Sequence, residues 1–167
     1  TDGYIIVSPD QDAGIAPRGP IDTKAGSEHR SGLLTVGYQA ANGWRFDASG
    51  NVFDEDRLNG TPAVINATAS RNVSVDVAGG LGGGFVSVRG FGGTQGYDQT
   101  FSAVNATRTA ETLNRVQRVP TKVNGFGGQW VRPLGRHAVL FGGETRFIEG
   151  TTIETPFNAQ GVALPTT

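Results

Sequence analysis

Apolar and polar residues alternate with a period of two along much of the chain, as they do in β-strands that have one apolar and one polar face. The pattern is clearest over residues 44–52, where every even position is apolar or glycine and every odd position is polar. Residues 31–40 follow a similar pattern, with Leu33 as the exception. Asn42-Gly43 lies between the two stretches and suits a tight turn. Together these features predict a β-hairpin over about 31–53.

The same alternation predicts two further hairpins downstream. One covers about 72–94, with the glycine-rich stretch 79–84 as its turn. The other covers about 119–148 and turns at 133–136. With the segments that join them, the hairpins make about seven strands in an antiparallel up-and-down order.

Strand 119–132 is the least regular of these. Phe126 and Trp130 share a parity with Lys122 and Asn124, so apolar and polar residues fall on the same face. A β-bulge in this strand would move the two pairs to opposite faces. The sequence therefore does not assign the faces of this strand.

The connections alternate between short and long. Short turns are predicted at 41–43, 79–84 and 133–136, and long polar loops at 8–28, 54–71 and 96–118. Short and long ends then lie on opposite rims, as in outer-membrane barrels. Strands of about 10 to 13 residues also match the roughly 9 to 11 residues that cross a bilayer. We therefore predict an all-β fold, part of a transmembrane β-barrel over 1–150, with 151–167 as a loop or tail.

Composition narrows the class of protein. The chain has 26 glycines in 167 residues and a hydrophobic share of 37%. This composition supplies few apolar side chains for a thick soluble core. No run approaches the roughly 20 apolar residues of a membrane-spanning helix. The net charge of −1 disfavours nucleic acid as a partner, and the absence of Cys removes disulfides and thiolate chemistry.

No constellation of residues predicts an enzyme, a metal site or a cofactor. The two histidines, His29 and His137, fall at opposite rims of the predicted topology. The glycine-rich stretches 79–84 and 90–93 lack the following Lys-Ser/Thr of a phosphate-binding loop. Asp54-Glu55-Asp56 has carboxylates that suit Ca²⁺, but a solvated rim beside Arg57 is the favoured interpretation.

Two groups of residues are candidates for function in a barrel. Charged residues facing lipid would cost about 2–4 kcal/mol each near the midplane, so those of the polar parity are expected to face the lumen. Aromatic residues near short turns are expected to lie at the periplasmic membrane interface. The lumen candidates are Arg45, Asp47, Asn51, Asp76, Arg89, Glu144 and Arg146, and the interface aromatics are Tyr38, Trp44 and Trp130.

Several short motifs, in their order and spacing, resemble the middle of a TonB-dependent outer-membrane receptor. They lie at residues 43–47, 56–62, 66–68, 125–132 and 141–146, and the similarity extends over about 3–150. The resemblance implies a 22-stranded barrel, plugged by a globular domain, that imports siderophores, cobalamin or oligosaccharides. It also implies location in the bacterial outer membrane, with membrane lipid, the plug domain and the TonB complex as partners. Neither plug nor energy-coupling motif matches here, so we expect a fragment of such a receptor.

The alternative is a soluble all-β binding module, such as a β-sandwich. In that fold the apolar parity would pack against a second sheet. The two interpretations differ in one observable feature, the burial of the apolar face.

Overall fold

The computed structural model describes residues 19–22 and 24–167. Every regular element in this part of the chain is a β-strand, so the predicted all-β meander of about seven strands is confirmed. The strands are β1 (Lys24–Gln39), β2 (Arg45–Gly60), β3 (Ile65–Leu81), β4 (Gly84–Val104), β5 (Glu111–Leu134), β6 (His137–Gly150) and β7 (Ile153–Pro156).

The strands form one antiparallel sheet. Its order is β1-β2-β3-β4-β5-β6, so each strand pairs with its neighbour in the chain, and β7 pairs with β5. The sheet is open, and β1 has a single neighbouring strand among the described residues.

The predicted loop 54–71 is wrong, because β2 and β3 continue through most of it. Only residues 61–64 connect the two strands. Polar side chains do not end the strands, since the ladder is made by backbone groups and the side chains find partners across it. Arg71 on β3, for example, donates to both carboxylate oxygens of Asp54 on β2, at 2.7 and 2.8 Å.

The predicted loop 96–118 is wrong for the same reason, and only 105–110 connect β4 to β5. Of the loop predicted at 8–28, residues 8–18 and 23 lie outside the described part of the chain, and 24–28 belong to β1. The first five strands have 16 to 24 residues, more than the sequence pattern indicates. The additional length lies on the rim opposite the short turns.

Strand β5 has its bulge outside the region where the sequence places one. Pairing with β4 is continuous over 115–131, and the register shifts between Phe101 and Ser102, opposite residues 113–115. Phe126 and Trp130 therefore do share a face with Lys122 and Asn124. The face simply changes from apolar to polar along the strand.

The predicted tail, 151–167, contains a strand. β7 continues the register that β6 has on β5, so β6 and β7 are one strand interrupted at residues 151–152. The Thr151 N–H donates to the Pro120 carbonyl at 3.2 Å, but Pro120 has no N–H to complete the ladder there. Thr167 exchanges two backbone hydrogen bonds of 2.9 Å with Glu154 of β7.

The register sorts side chains onto two unlike faces, because directly paired residues share a face of the sheet. Polar rows on one face include Asp47, Asp76 and Arg89, which are paired in sequence across β2, β3 and β4. The other face is mainly apolar in its half near the short turns, and its apolar positions are Leu34, Val36, Tyr38, Phe46, Ala48, Val52, Val73, Val75, Val77, Val86, Val88, Phe126, Trp130, Val139, Phe141 and Phe147.

The sheet curves toward its polar face. An open cavity of about 870 Å³ on that side is lined by residues from all of β1 to β6, which a flat sheet would not bring together. A Cβ added to Gly125 or Gly142 on this face would lie under 3 Å from backbone oxygens of the neighbouring strand. On the apolar face a Cβ at Gly90 or Gly143 would meet nothing within 4 Å, and one at Gly79 or Gly92 would come under 3 Å only from a side chain. The polar face is therefore concave and the apolar face convex.

The described residues contain no buried hydrophobic side chain. On the convex face Phe141 is 78% exposed and Leu34 is 69% exposed. A β-sandwich would cover this face with a second sheet, and no described residue does so. The fold is a single curved layer.

The curvature of the sheet predicts that substitutions of two glycines on opposite faces lower the stability of the fold by different amounts. Gly125→Val should destabilise the fold by about 1–3 kcal/mol, because the added side chain would meet the Phe91 ring and the Thr145 carbonyl oxygen. Gly90→Val, the matched control on the convex face, should cost little. The comparison is made by urea unfolding in detergent micelles. Equal losses of stability would contradict the assignment of the concave face.

Candidate functional site

All seven lumen candidates lie on the concave face, where they line two neighbouring cavities. Arg45, Asp47 and Asp76 line the cavity of about 870 Å³, and Asn51 and Arg146 line a second one of about 390 Å³. Arg89 and Glu144 line both. The period-two pattern thus brings residues from four strands to one surface.

The charged residues of this surface are balanced and paired. Asp47 and Asp76 are directly opposed on β2 and β3, an arrangement that repels unless each carboxylate has a cation. Arg45 donates to Asp47 at 2.6 and 3.0 Å, and the Arg89 guanidinium lies 3.7 Å from Asp76. On β6, Arg146 lies 3.4 Å from Glu144. Three arginines and three carboxylates therefore form a wettable lining without net charge.

Neutral polar residues extend the lining, and three of them, Ser49, Asn72 and Ser74, were not among the candidates. Ser49 and Ser74 are joined by a hydrogen bond of 2.8 Å, and Ser74 also accepts one of 3.4 Å from Arg89. Asn72 donates to Asn51 at 2.8 Å. Ser74 is only 7% exposed. The sequence could have placed them on this face, because they lie at even spacings from Asp47 and Asp76 in the period-two pattern.

Phe91 is the central apolar residue of the concave face. Its ring covers Gly125, and the Arg146 guanidinium lies over it at 5.5 Å from the ring centre, within cation–π range. Phe91 was not among the candidates, because the glycine-rich stretch 90–93 was considered only as a possible phosphate-binding loop. Its parity with Arg89 could have placed it.

The three interface aromatics lie at the short-turn rim. Tyr38 is paired with Phe46, with ring centres 6.3 Å apart. The Trp44 indole covers the buried Gly79, and Trp130 Nε1 donates to the Leu81 carbonyl at 2.8 Å. Each indole thus has a fixed position beside a turn, with its apolar ring available to the convex side.

At the opposite end the convex face becomes polar. Arg71, Thr94, Lys122 and Glu149 are paired in succession across β3, β4, β5 and β6, in a row that we call the polar boundary. Arg30 and Asp54 are paired in the next row. The apolar region of the convex face is therefore bounded by aromatic residues on one side and by charged residues on the other.

Glu111 fastens the connection 61–64 to the rim beyond the polar boundary. It accepts hydrogen bonds from Thr61, from the Ala63 N–H at 2.9 Å and from Ser102 at 2.5 Å. Burial alone would raise the pKa of Glu111, but these bonds and the nearby Arg108 outweigh it and lower the pKa below its ordinary value. The carboxylate form therefore holds the turn.

The described part of the chain has no group of three or more His, Cys, Asp or Glu arranged to hold a metal ion. Asp54-Glu55-Asp56 lies within β2, so Glu55 is on the opposite face from the two aspartates. Glu55 instead pairs with Arg57 at 2.7 Å. Among the same residues, no helix is both long and apolar enough to cross a bilayer.

Comparisons with protein-family models, curated proteins and solved structures found no match to this chain.

The lowered pKa of Glu111 predicts acid sensitivity at the 61–64 turn. A carboxylate whose pKa is lower in the folded state stabilises the fold above its unfolded pKa of about 4.3 and loses this contribution as pH falls through the folded value. Hydrogen-exchange protection of the Ala63 N–H, corrected for intrinsic exchange rates, should decrease as the pH is lowered through this acidic range.

Glu111→Gln should reduce this protection by about 1 kcal/mol at neutral pH and flatten its pH dependence. Glu149→Gln is the control, since Glu149 has no hydrogen-bond or ion-pair partner among the described residues. An unchanged pH profile in the Glu111→Gln variant would contradict the assignment.

Proposed function

We propose that the chain is a segment of an outer-membrane β-barrel, with its convex face toward lipid and its concave face toward the lumen. The observation that carries the proposal is the convex apolar face, which continues across β1 to β6 and is covered by no described residue. In water each large side chain of this face would forgo about 1.5–3 kcal/mol of burial. Hydrocarbon supplies that burial without a second protein layer.

The dimensions of the convex face agree with this environment. On β6 the face runs over the nine residues from Val139 to Phe147, and a tilted strand crosses the hydrocarbon with roughly 9 to 11 residues. Outer-membrane barrels carry an apolar band of about 25 Å between aromatic girdles. Tyr38, Trp44 and Trp130 lie where one girdle is expected.

The concave face supports a lumen assignment. Its three arginines and three carboxylates would be costly against lipid, at about 2–4 kcal/mol for each Arg near the midplane. In a water-filled lumen their pairing leaves donors and acceptors for a polar ligand or for a second domain. A sandwich, by contrast, would require an additional sheet over the convex face.

Within this class, the motif resemblance favours a TonB-dependent transport receptor. The bacterial outer membrane is then the location, and membrane lipid, a plug domain and the TonB complex are the partners. The imported ligand would be of the siderophore, cobalamin or oligosaccharide kind.

A lipid-facing convex surface predicts accessibility with a period of two. The chain has no native Cys, so single-Cys variants can be spin-labelled at each position from 46 to 52. In lipid vesicles, labels at 46, 48, 50 and 52 should collide preferentially with oxygen, and those at 47, 49 and 51 with a water-soluble nickel complex. A pattern without this alternation would refute the membrane assignment.

A charge placed on the convex face should impair folding into a membrane. Val88→Arg is expected to destabilise the protein in phospholipid vesicles by about 2–4 kcal/mol, because the guanidinium would enter hydrocarbon. Ser87→Arg, one residue away on the concave face, is the matched control and should cost far less. Urea titration in vesicles measures both, and equal effects would contradict the proposed orientation.

A further inference from the structure

A groove crosses the convex face where its apolar region meets the polar boundary. Its volume is about 410 Å³. The floor is a row of paired residues, Gly50, Val73, Gly92 and Asn124, and the next row contains Val52, Arg71, Thr94 and Lys122. One side of the groove is therefore apolar and the other carries hydrogen-bond donors.

Lys122 differs from the other cations at this boundary. Arg30, Arg71 and Arg118 each have a carboxylate oxygen within 4.0 Å. Among the described residues Lys122 has none, and although Glu149 is its register partner on β6, the two side chains form no ion pair. The groove thus has at its polar end an ammonium group that forms no ion pair with a described residue.

The neighbouring polar groups are also unpaired. Thr94 and Asn124 form no side-chain hydrogen bond with any described residue. This contrasts with the concave face, where Asn51, Asn72, Ser49 and Ser74 bond to one another. An ammonium, a hydroxyl and an amide therefore line the same groove, and none of them has a side-chain hydrogen bond to a described residue.

We propose that this groove binds the phosphate-bearing headgroup of a membrane lipid, with an acyl chain along its apolar floor. The proposal rests on the membrane assignment above. Lys122 supplies the charge, Thr94 and Asn124 supply hydrogen bonds, and Gly92 leaves room for the chain. The polar boundary holds a headgroup at the depth where the convex face ceases to be apolar.

The test uses the detergent-solubilised protein and lipid A, a lipid with several acyl chains and two phosphates, with binding measured by native mass spectrometry. Lys122→Gln should weaken lipid A binding by about tenfold, the loss expected for one charge-assisted contact. Arg118→Gln is the matched control, four residues away on the same strand and face, and should change binding less than twofold.

A second pair of variants tests the apolar floor. Gly92→Leu should abolish binding, because its side chain would fill the groove and displace the Asn124 amide. Gly143→Leu, at an open position on the same face, should leave binding intact. Circular dichroism confirms that each variant is folded.

Three results would overturn the proposal. They are equal binding by the Lys122→Gln and Arg118→Gln variants, equal binding of dephosphorylated lipid A, and displacement of lipid A by equimolar inorganic phosphate. The spin-label alternation of residues 46–52 reports separately on the membrane assignment. If that alternation is observed and lipid A binding is unaffected by the substitutions of Lys122 and Gly92, the lipid site is refuted and the membrane assignment stands.

Discussion

The antiparallel register of β1 to β6 is the constraint on which the other features depend. Directly paired residues share a face, so a polar or an apolar row continues from each strand to the next across the sheet. The register is continuous except for the bulge at Phe101 and Ser102, which lies beyond the polar boundary. A slip of one residue in β2 would turn Arg45 and Asp47 outward and bring Phe46 inward. The paired lining of the cavities and the apolar face both require that no such slip occurs.

A single layer of strands cannot bury its own apolar side chains, so this contribution to the free energy of folding must come from its surroundings. Backbone hydrogen bonds hold the strands together, but the sheet has no buried hydrophobic side chain to offset the entropy of ordering the chain. Its open edge strands are also the kind of surface that pairs with further strands. Hydrocarbon on the convex face would supply the missing burial, and neighbouring strands would cover the edges. Under the proposed function, both are properties of a barrel in its membrane.

Polar residues behave differently on the two faces. On the concave side, Asp47 and Asp76 are tolerated opposite each other because Arg45 and Arg89 neutralise them, which makes a stable lining that needs no ligand. On the convex side, the charged residues of the strands lie at the two ends of the apolar region, with Arg132 near the short turns and the others at or beyond the polar boundary, and Lys122 forms no ion pair with any described residue. The difference suggests that internal pairing satisfies the inner face, while the outer face depends on what surrounds it.

The sequence alone determined the strand class, the hairpins and the two parities, because alternation and Asn-Gly-type turns are local properties of the chain. It also placed Arg89 and Glu144 on one face before any pairing was known. Strand ends, the bulge position and the β7 segment were decided by tertiary structure, since polar stretches such as 54–60 become strand only when a neighbour completes their backbone ladder. The same is true of Phe91, Ser74 and Glu111, whose roles arise from residues 9 to 55 positions away that local patterns do not connect.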